Sequence, residues 1–401
     1  VASNVTDPAA PTPPHANWNY PTAVRFGAGR IAELADACRA LGISRPLLVT
    51  DRGLASAPIT AHALERLAAA GLGARCFSEV RPNPAFDNLT AALADYHAGG
   101  HDGVVAFGGG SGLDLGKLVA FMSGQRRPVW DFEDIGDHWT RADSAGIAPI
   151  VAVPTTAGTG SEVGRAAVLT DPDSETKKVI FHPRMLPGIV ICDPALTVGL
   201  PPFITAGTGM DALAHCLEAY CAPGFHPMAD GIAVEGIRLV FENLRIALTT
   251  PDHLIARGNL MAAAAMGATA FQKGLGGMHA LSHPIGALYD THHGMTNAVV
   301  MPHVLAFNRA AIAPRIERLA HWLGLPDAGF DGFLRAVLAL RADAGVPDTL
   351  AGLGVDDRHA ARVAAMAVVD PTAGGNPIPL TESAARRLFD AALSGTASAG
   401  M

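Results

Sequence analysis

Residues 277–294 read GMHALSHPIGALYDTHHG and hold four of the chain's 16 histidines, at positions 279, 283, 292 and 293. His279 and His283 are four apart, so on a helix they share a face. The same spacing occurs upstream in GMDALAHCLEAY, where Asp211 and His215 are flanked by Met210, Ala212, Leu213, Ala214, Cys216 and Leu217. Those apolar flanks turn the pair toward a buried place. A buried carboxylate needs a partner, and a cation serves. His293 follows in a turn beside Gly294. One carboxylate and several imidazoles suit Fe(II), Zn(II) or a similar divalent ion. A lone Asp/His pair is more often a surface pair or cap, and a lone histidine a satisfied core residue. The two sets together favour metal binding.

A second chemistry is written in glycines. VVAFGGGSGLDLGK places Gly108, Gly109 and Gly110 between an apolar run and a helical one. Glycines there let backbone N–H groups approach a phosphate at a helix N-terminus. The string is neither GxGxxG nor a P-loop, and on spacing alone a tight structural turn accounts for it equally well. PTTAGTGSE then adds Thr155, Thr156, Thr159 and Ser161 after another apolar run. Two such loops at strand C-termini of one sheet are where α/β folds bind ligands. Asp51 closes PLLVTD. It could accept from a ribose 2′-OH and would repel a 2′-phosphate, which favours NAD over NADP. The plainer reading of Asp51 alone is a helix cap.

The elements that must position these residues change character midway. AVRFG, PLLVTD, ARCFSEV, GVVAFGGGS, PIVAVP and GIVICDP read as strands. Between them RIAELADACRALG, ITAHALERLAAAG, NLTAALADYHAGG and a stretch from Leu113 have helical spacing. Alternation of this kind predicts a parallel sheet covered on both faces, a Rossmann-like α/β unit. After Pro202 only long helix-periodic segments follow, and no strand is expected. The predicted organisation is an extended arm at 1–20 that docks through Trp18 and Tyr20, a nucleotide-binding α/β domain at 21–198 and a helical metal and substrate domain at 199–401.

Composition removes other classes. A chain of 401 residues exceeds one ordinary core. Net charge is -8 and no cluster of Lys and Arg appears, so no nucleic-acid partner is expected. No apolar stretch reads as a membrane span of roughly 20 residues. The N-terminal twenty residues lack a basic start and an apolar core, so a signal peptide is not expected. Five cysteines without a CxxC fit a reduced, cytoplasmic setting.

Taken in order, GGGSGLDLGK, PTTAGTGSE, GMDALAHCLEAY and GMHALSHPIGALYDTHHGMTNA resemble the iron-containing (group III) alcohol dehydrogenase family, from about Tyr20 to Leu393. The resemblance implies the dehydroquinate synthase-like architecture, with an active site in the cleft between the α/β and helical domains and a homodimer or larger assembly. It implies metal ligands at Asp211, His215, His279 and His293. His283 then lines the site without ligating and is the candidate for proton transfer; His292 stands where many relatives have Pro and receives no role. For NAD(H) the resemblance points to Asp51, Gly109, Gly110, Ser111, Asp114, Thr155, Thr156, Thr159 and Lys177, with Asn83 of PNP on the adenine side.

The implied activity is hydride transfer between a small primary alcohol, or an anionic hydroxy acid, and NAD, with Fe(II) favoured over Zn(II). Arg165 lies just past the second loop, where relatives place residues facing the substrate. It either recognises an anionic tail, such as a semialdehyde carboxylate, or is a structural arginine paired with Glu162 or turned to solvent. Where relatives read NPR, this chain has Ile378 in place of Arg. Maleylacetate reductases share the fold without the full ligand set. A dehydroquinate-synthase-like lyase is the alternative activity, and a metal- and nucleotide-binding protein without turnover is a further rival.

Overall fold

The computed structural model describes residues 16–18, 21–174 and 176–395. The α/β part runs β1 (Ala16–Trp18), β2 (Ala23–Phe26), α1 (Leu34–Ala40), β3 (Pro46–Asp51), α2 (Pro58–Ala69), β4 (Arg75–Val80), α3 (Phe86–Ala98), β5 (Gly103–Gly108), α4 (Gly110–Met122) and β6 (Ile150–Pro154). It continues through β7 (Ala166–Asp171), β8 (Thr176–Phe181) and β9 (Ile189–Cys192). The main sheet has the order β1-β2-β9-β6-β5-β3-β4. Its strands from β2 to β4 are parallel, and β1 adds an antiparallel edge, Trp18 opposite Val24. The predicted docking at Tyr20 falls outside the described residues.

Alternate residues of the strands serve opposite faces. Leu47, Val49, Val104, Ala106, Ile150, Ala152 and Val190 belong to one core, and Leu48, Val105, Phe107, Val151, Val153, Ile189 and Ile191 to another. The second core is closed by α1 and α2 through Leu34, Ala63 and Leu67. The first does not stop at the α/β part; it is continuous with the apolar interior of the helices that follow.

Those helices are α5 (Pro202–Cys221), α6 (Pro227–Thr249), α7 (Leu254–Ala270), α8 (Gly277–Tyr289), α9 (His293–Trp322), α10 (Phe330–Asp343), α11 (Ala360–Val369) and α12 (Glu382–Ser394). Among the described residues no strand follows β9.

The structure differs from the sequence expectation in four places. The strands β7 and β8 form an antiparallel hairpin that the apolar pattern does not mark, with Ala166 opposite Phe181 and Thr170 opposite Lys177. Helix α4 begins at Gly110, not Leu113, its first bond running from the Leu113 N–H to the Gly109 carbonyl at 3.0 Å, and Gly112 and Gly116 let it press on the Phe107 carbonyl and Ala106. The RIAELADACRALG segment opens as a 3-10 turn at Arg30–Glu33 before α1. Residues 254–273 are, by length and composition, long and apolar enough to cross a membrane, where the sequence pattern predicts no such stretch. They are largely buried inside the protein as a core helix.

Candidate metal and dinucleotide site

Helix α5 carries Asp211, His215 and Glu218 at i, i+4 and i+7, one face of the helix, and all three are buried. Helix α8 brings His279 and His283, and the first turn of α9 brings His293. The start of α9 presses directly on α5: a Cβ on Gly294 would lie 2.1 Å from the Gly207 carbonyl oxygen. Glycine at 294 is what lets His293 reach Asp211.

Ligand atoms of Asp211, His215 and His279 lie within 4.8 Å of one another. Asp211 Oδ1 is 3.9 Å from His279 Nε2 and 3.6 Å from His293 Nε2, and Asp211 Oδ2 is 4.0 Å from His215 Nδ1. So the four predicted ligands meet, three in a tight buried cluster and His293 on its more open side. Asn297, fully buried on α9, sits among them, its Nδ2 2.9 Å from Asp211 Oδ1 and 3.2 Å from both His279 Nε2 and His293 Nε2.

The donor set fits a divalent metal on its own chemistry. His215 Nδ1 is buried with no hydrogen-bond partner, a cost that ligation removes. Burial lowers the pKa of His215 to about 4, and burial followed by the neighbouring His279 and His283 holds His293 well below its usual value. Both rings are therefore neutral, as ligands must be. Burial opposes charge on His279, but the charge and hydrogen bond of Glu218, then Asp211, outweigh it and raise its pKa.

His283 points elsewhere. Its Nδ1 lies 2.8 Å from Asp370 Oδ2, and Asp370 also accepts from the backbone N–H of Thr372 at 2.9 Å. Although burial raises the Asp370 pKa, His283 and Thr372 more than offset it, so the carboxylate is ionised and His283 donates from Nδ1. Nε2 is left as the acceptor. The ring stacks on His293 with centroids 5.4 Å apart.

Of the residues expected to bind the dinucleotide, Asp51, Gly109, Gly110, Ser111, Thr155, Thr156 and Thr159 gather at the C-terminal ends of β3, β5 and β6. The sheet order reverses between β3 and β5, and such switch points hold ligands in α/β folds. Gly108 has φ 145°, open only to glycine, and turns the chain from β5 into α4. Gly109 is the N-cap of α4 and offers no side chain, so the first N–H groups, at Gly110 and Ser111, have no side-chain cap. An anion is a natural partner for them.

Thr155 is buried with its hydroxyl unpartnered, while Thr156 and Thr159 stand against Gly109 and Gly110. Asp51 does two things. Its Oδ1 accepts from the Leu54 N–H at 3.0 Å, the cap-like role, and its Oδ2 lies 3.5 Å from where a Cβ on Gly108 would be, at the phosphate loop.

Asp114 is turned inward. It accepts from the Ser161 hydroxyl and from the Val168 N–H at 2.9 Å, bracing the Thr loop from behind. Lys117, the last residue of GGGSGLDLGK and given no role from the sequence, is buried beside it and donates to the carbonyls of Ser161, at 2.9 Å, and Ala166. Asn83, at φ 52°, donates to Asp290 Oδ1 at 3.1 Å and so ties the α/β part to the end of α8.

Lys177, on β8, lines a cavity of about 300 Å³ together with His283, Pro284, Val369 and Asp370. Burial lowers its pKa to about 8 against the pull of Asp290, Asp114 and Asp370. Arg165 is exposed, its Nη2 3.1 Å from Gln272 Oε1 and its guanidinium 5.6 Å from the Phe181 ring centroid. Its partner is not Glu162, which is buried near Lys117. Gln272 follows Phe271, whose ring is 5.2 Å from that of His215. His292 caps α9, its Nδ1 accepting from the Met295 N–H at 3.4 Å. Ile378 stands in a loop whose Asn376 side chain accepts from the Gly277 N–H at 3.0 Å.

A parallel-sheet unit with a glycine loop at its switch point, set against a helical Asp/His cage, fits a metal- and dinucleotide-dependent enzyme. The family is definite. Residues 21–194 match the iron-containing alcohol dehydrogenase family, and residues 205–393 match the C-terminal part of the Fe-containing alcohol dehydrogenase family; the chain belongs to it. It is 40% identical over 384 residues to the 4-hydroxybutyrate dehydrogenase of Cupriavidus necator, covering 92% of this chain and 98% of that one. Identity to the 1,3-propanediol dehydrogenase of Citrobacter freundii is 36% over 373 residues, 91% of this chain and 95% of that one. The crystal structure of a 1,3-propanediol oxidoreductase superposes with a TM-score of 0.88 at 34% identity, covering 96% of this chain and all of that one. The chain is thus an NAD(H)-dependent alcohol dehydrogenase or aldehyde reductase of the iron-containing family.

Proposed function

We propose that the enzyme interconverts a short hydroxy acid of the 4-hydroxybutyrate type and its semialdehyde. Asp211, His215, His279 and His293 hold the metal, Fe(II) in the native enzyme. The bound metal and NAD(H) supply a Lewis acid for the alcohol oxygen and an acceptor or donor of hydride. The remaining work is done by the chain. The N-terminus of α4 with Thr156 and Thr159 binds the pyrophosphate, and Asp51 the adenosine ribose. Asn83 and Lys177 frame the cleft, and Asp114 braces the Thr loop. His283 accepts the alcohol proton at Nε2 while Asp370 holds Nδ1. Residues 21–198 and 199–401 act as two domains around this cleft, in a cytoplasmic homodimer or larger assembly.

The observation that carries the substrate class is Arg165. It hydrogen-bonds Gln272, a neutral amide whose sequence neighbour Phe271 packs on His215, and the carboxylate of Asp134 lies within reach of its charge. Its charge at this rim suits the far end of a four-carbon chain, and the likeness to a 4-hydroxybutyrate dehydrogenase supports it. A charge-assisted pair contributes about 1.5–3 kcal/mol when partly buried, but an exposed one only up to about 1 kcal/mol. Arg165→Met should therefore lose about three- to fivefold in kcat/KM on succinic semialdehyde and almost nothing on butyraldehyde. Equal losses on both would return Arg165 to a structural role, and a wild type indifferent to the carboxylate would remove the hydroxy-acid assignment.

A further inference from the structure

We propose that Glu218 is a positioning residue of the metal cage, setting the tautomer of His279 and supplying the second negative charge that a divalent ion requires. The residue is buried on α5, seven positions after Asp211 and on the same face. Its Oε2 is 2.6 Å from His279 Nδ1, and its Oε1 accepts from the Met278 N–H at 2.6 Å. Both oxygens face donors, the arrangement of a carboxylate that acts only as an acceptor.

The two bonds fall on consecutive residues of α8. One fixes the backbone at the helix start and the other fixes the ring that follows. The N-cap of α8, Gly276, offers no side chain, so Glu218 and Asn376 of other segments cap its first turn instead. With Nδ1–H committed to Glu218, His279 Nε2 is the ring nitrogen left for a metal, and it is the atom facing Asp211 Oδ1. A carboxylate behind a ligating imidazole orients the ring and raises its basicity.

Charge points the same way. Asp211 provides one negative charge among neutral imidazoles, and a dication in this buried place is left half compensated. Glu218 completes the balance from behind His279. The geometry leaves it little freedom: a Cβ on Gly276 would lie 3.1 Å from Glu218 Oε1 and 2.9 Å from Asn376 Oδ1. Gly276 is thus the cradle of this carboxylate.

Glutamine at 218 keeps the shape, but it can accept only with its single oxygen. Its amide N–H2 must then face either the Met278 N–H or the His279 ring, and the charge is gone. The test is the affinity of the full chain for Zn(II) and for Fe(II) under anaerobic conditions, by competition with a chelator. Melting is followed alongside, with and without metal. Glu218→Gln should bind both ions about 10- to 100-fold more weakly than the wild type, with a smaller metal-induced rise in Tm. Gly276→Ala, which crowds the carboxylate without removing it, should shift affinity the same way by a smaller factor, and it carries the test where Glu218→Gln does not fold. If either folded variant binds metal as the wild type does while melting lower in both states, Glu218 is only a helix cap and the proposal fails. A wild type that binds neither ion would instead overturn the metal cage itself.

Discussion

Asp370→Asn separates the proton path from the metal cage. The native pair is a 2.8 Å hydrogen bond between His283 Nδ1 and Asp370 Oδ2, with side-chain exposures of 21% and 12%. Asparagine keeps the volume and can keep one hydrogen bond, but the negative charge that selects the Nδ1–H tautomer is lost. A charge-assisted hydrogen bond contributes about 1.5–3 kcal/mol, and partial exposure puts this pair near the low end. At about 1.4 kcal/mol per tenfold, kcat should fall about ten- to thirtyfold. Asp370 hydrogen-bonds none of the four proposed ligands, so metal content by elemental analysis should match the wild type. The NADH dissociation constant should also change little. The assay is steady-state aldehyde reduction followed by NADH absorbance, with kcat and KM resolved across pH. A kcat equal to the wild type at every pH would refute the dyad. Loss of metal in step with activity would make Asp370 a support of the cage instead.

Two further predictions concern the cofactor side. Asp51→Gly should raise kcat/KM for NADPH relative to NADH, because the carboxylate that repels a 2′-phosphate is removed; a wild type that uses both cofactors equally would contradict the role of Asp51. Lys177 loses its proton near pH 8 as the pH rises, since burial disfavours its charged form. If the ammonium holds the cofactor, kcat/KM for NADH should fall above about pH 8, and Lys177→Arg, which stays charged, should move that limb upward. An unchanged limb in the variant would assign it to another group.

Metal binding is legible in the sequence because an Asp/His pair and a His/His pair, each spaced i, i+4, suit a buried ion; which of the histidines ligate is implied only by the family resemblance. Glu218 stands in the same GMDALAHCLEAY string, and i+7 from Asp211 puts it on the same helical face, but nothing in the spacing ties it to His279. Asp370 is not legible. It lies 87 positions from His283 in DPTAGG, a stretch whose local chemistry says only that an aspartate precedes a turn, as it does by capping the Thr372 N–H. The parallel strands are readable as unbroken apolar runs, because β3, β5 and β6 are buried on both faces. The β7–β8 hairpin is hidden for the opposite reason. Its strands lie at the cleft and are only half-buried, so TKKVIF carries two lysines where an apolar alternation would mark a strand. Asp114 shows a further limit: a motif position can name a residue near the cofactor without saying whether its carboxylate faces the ligand or braces the loop behind it.

The most direct measurement is reduction of succinic semialdehyde by NADH with the anaerobically purified enzyme, before chelation, after chelation and after Fe(II) is returned, in the wild type, His279→Ala and His283→Ala. The wild type should lose its rate with its metal and regain it with Fe(II). His279→Ala should hold no metal and show no rate, while His283→Ala should keep its metal and turn over slowly. Full activity in metal-free wild type, or full metal occupancy in His279→Ala, would contradict the account.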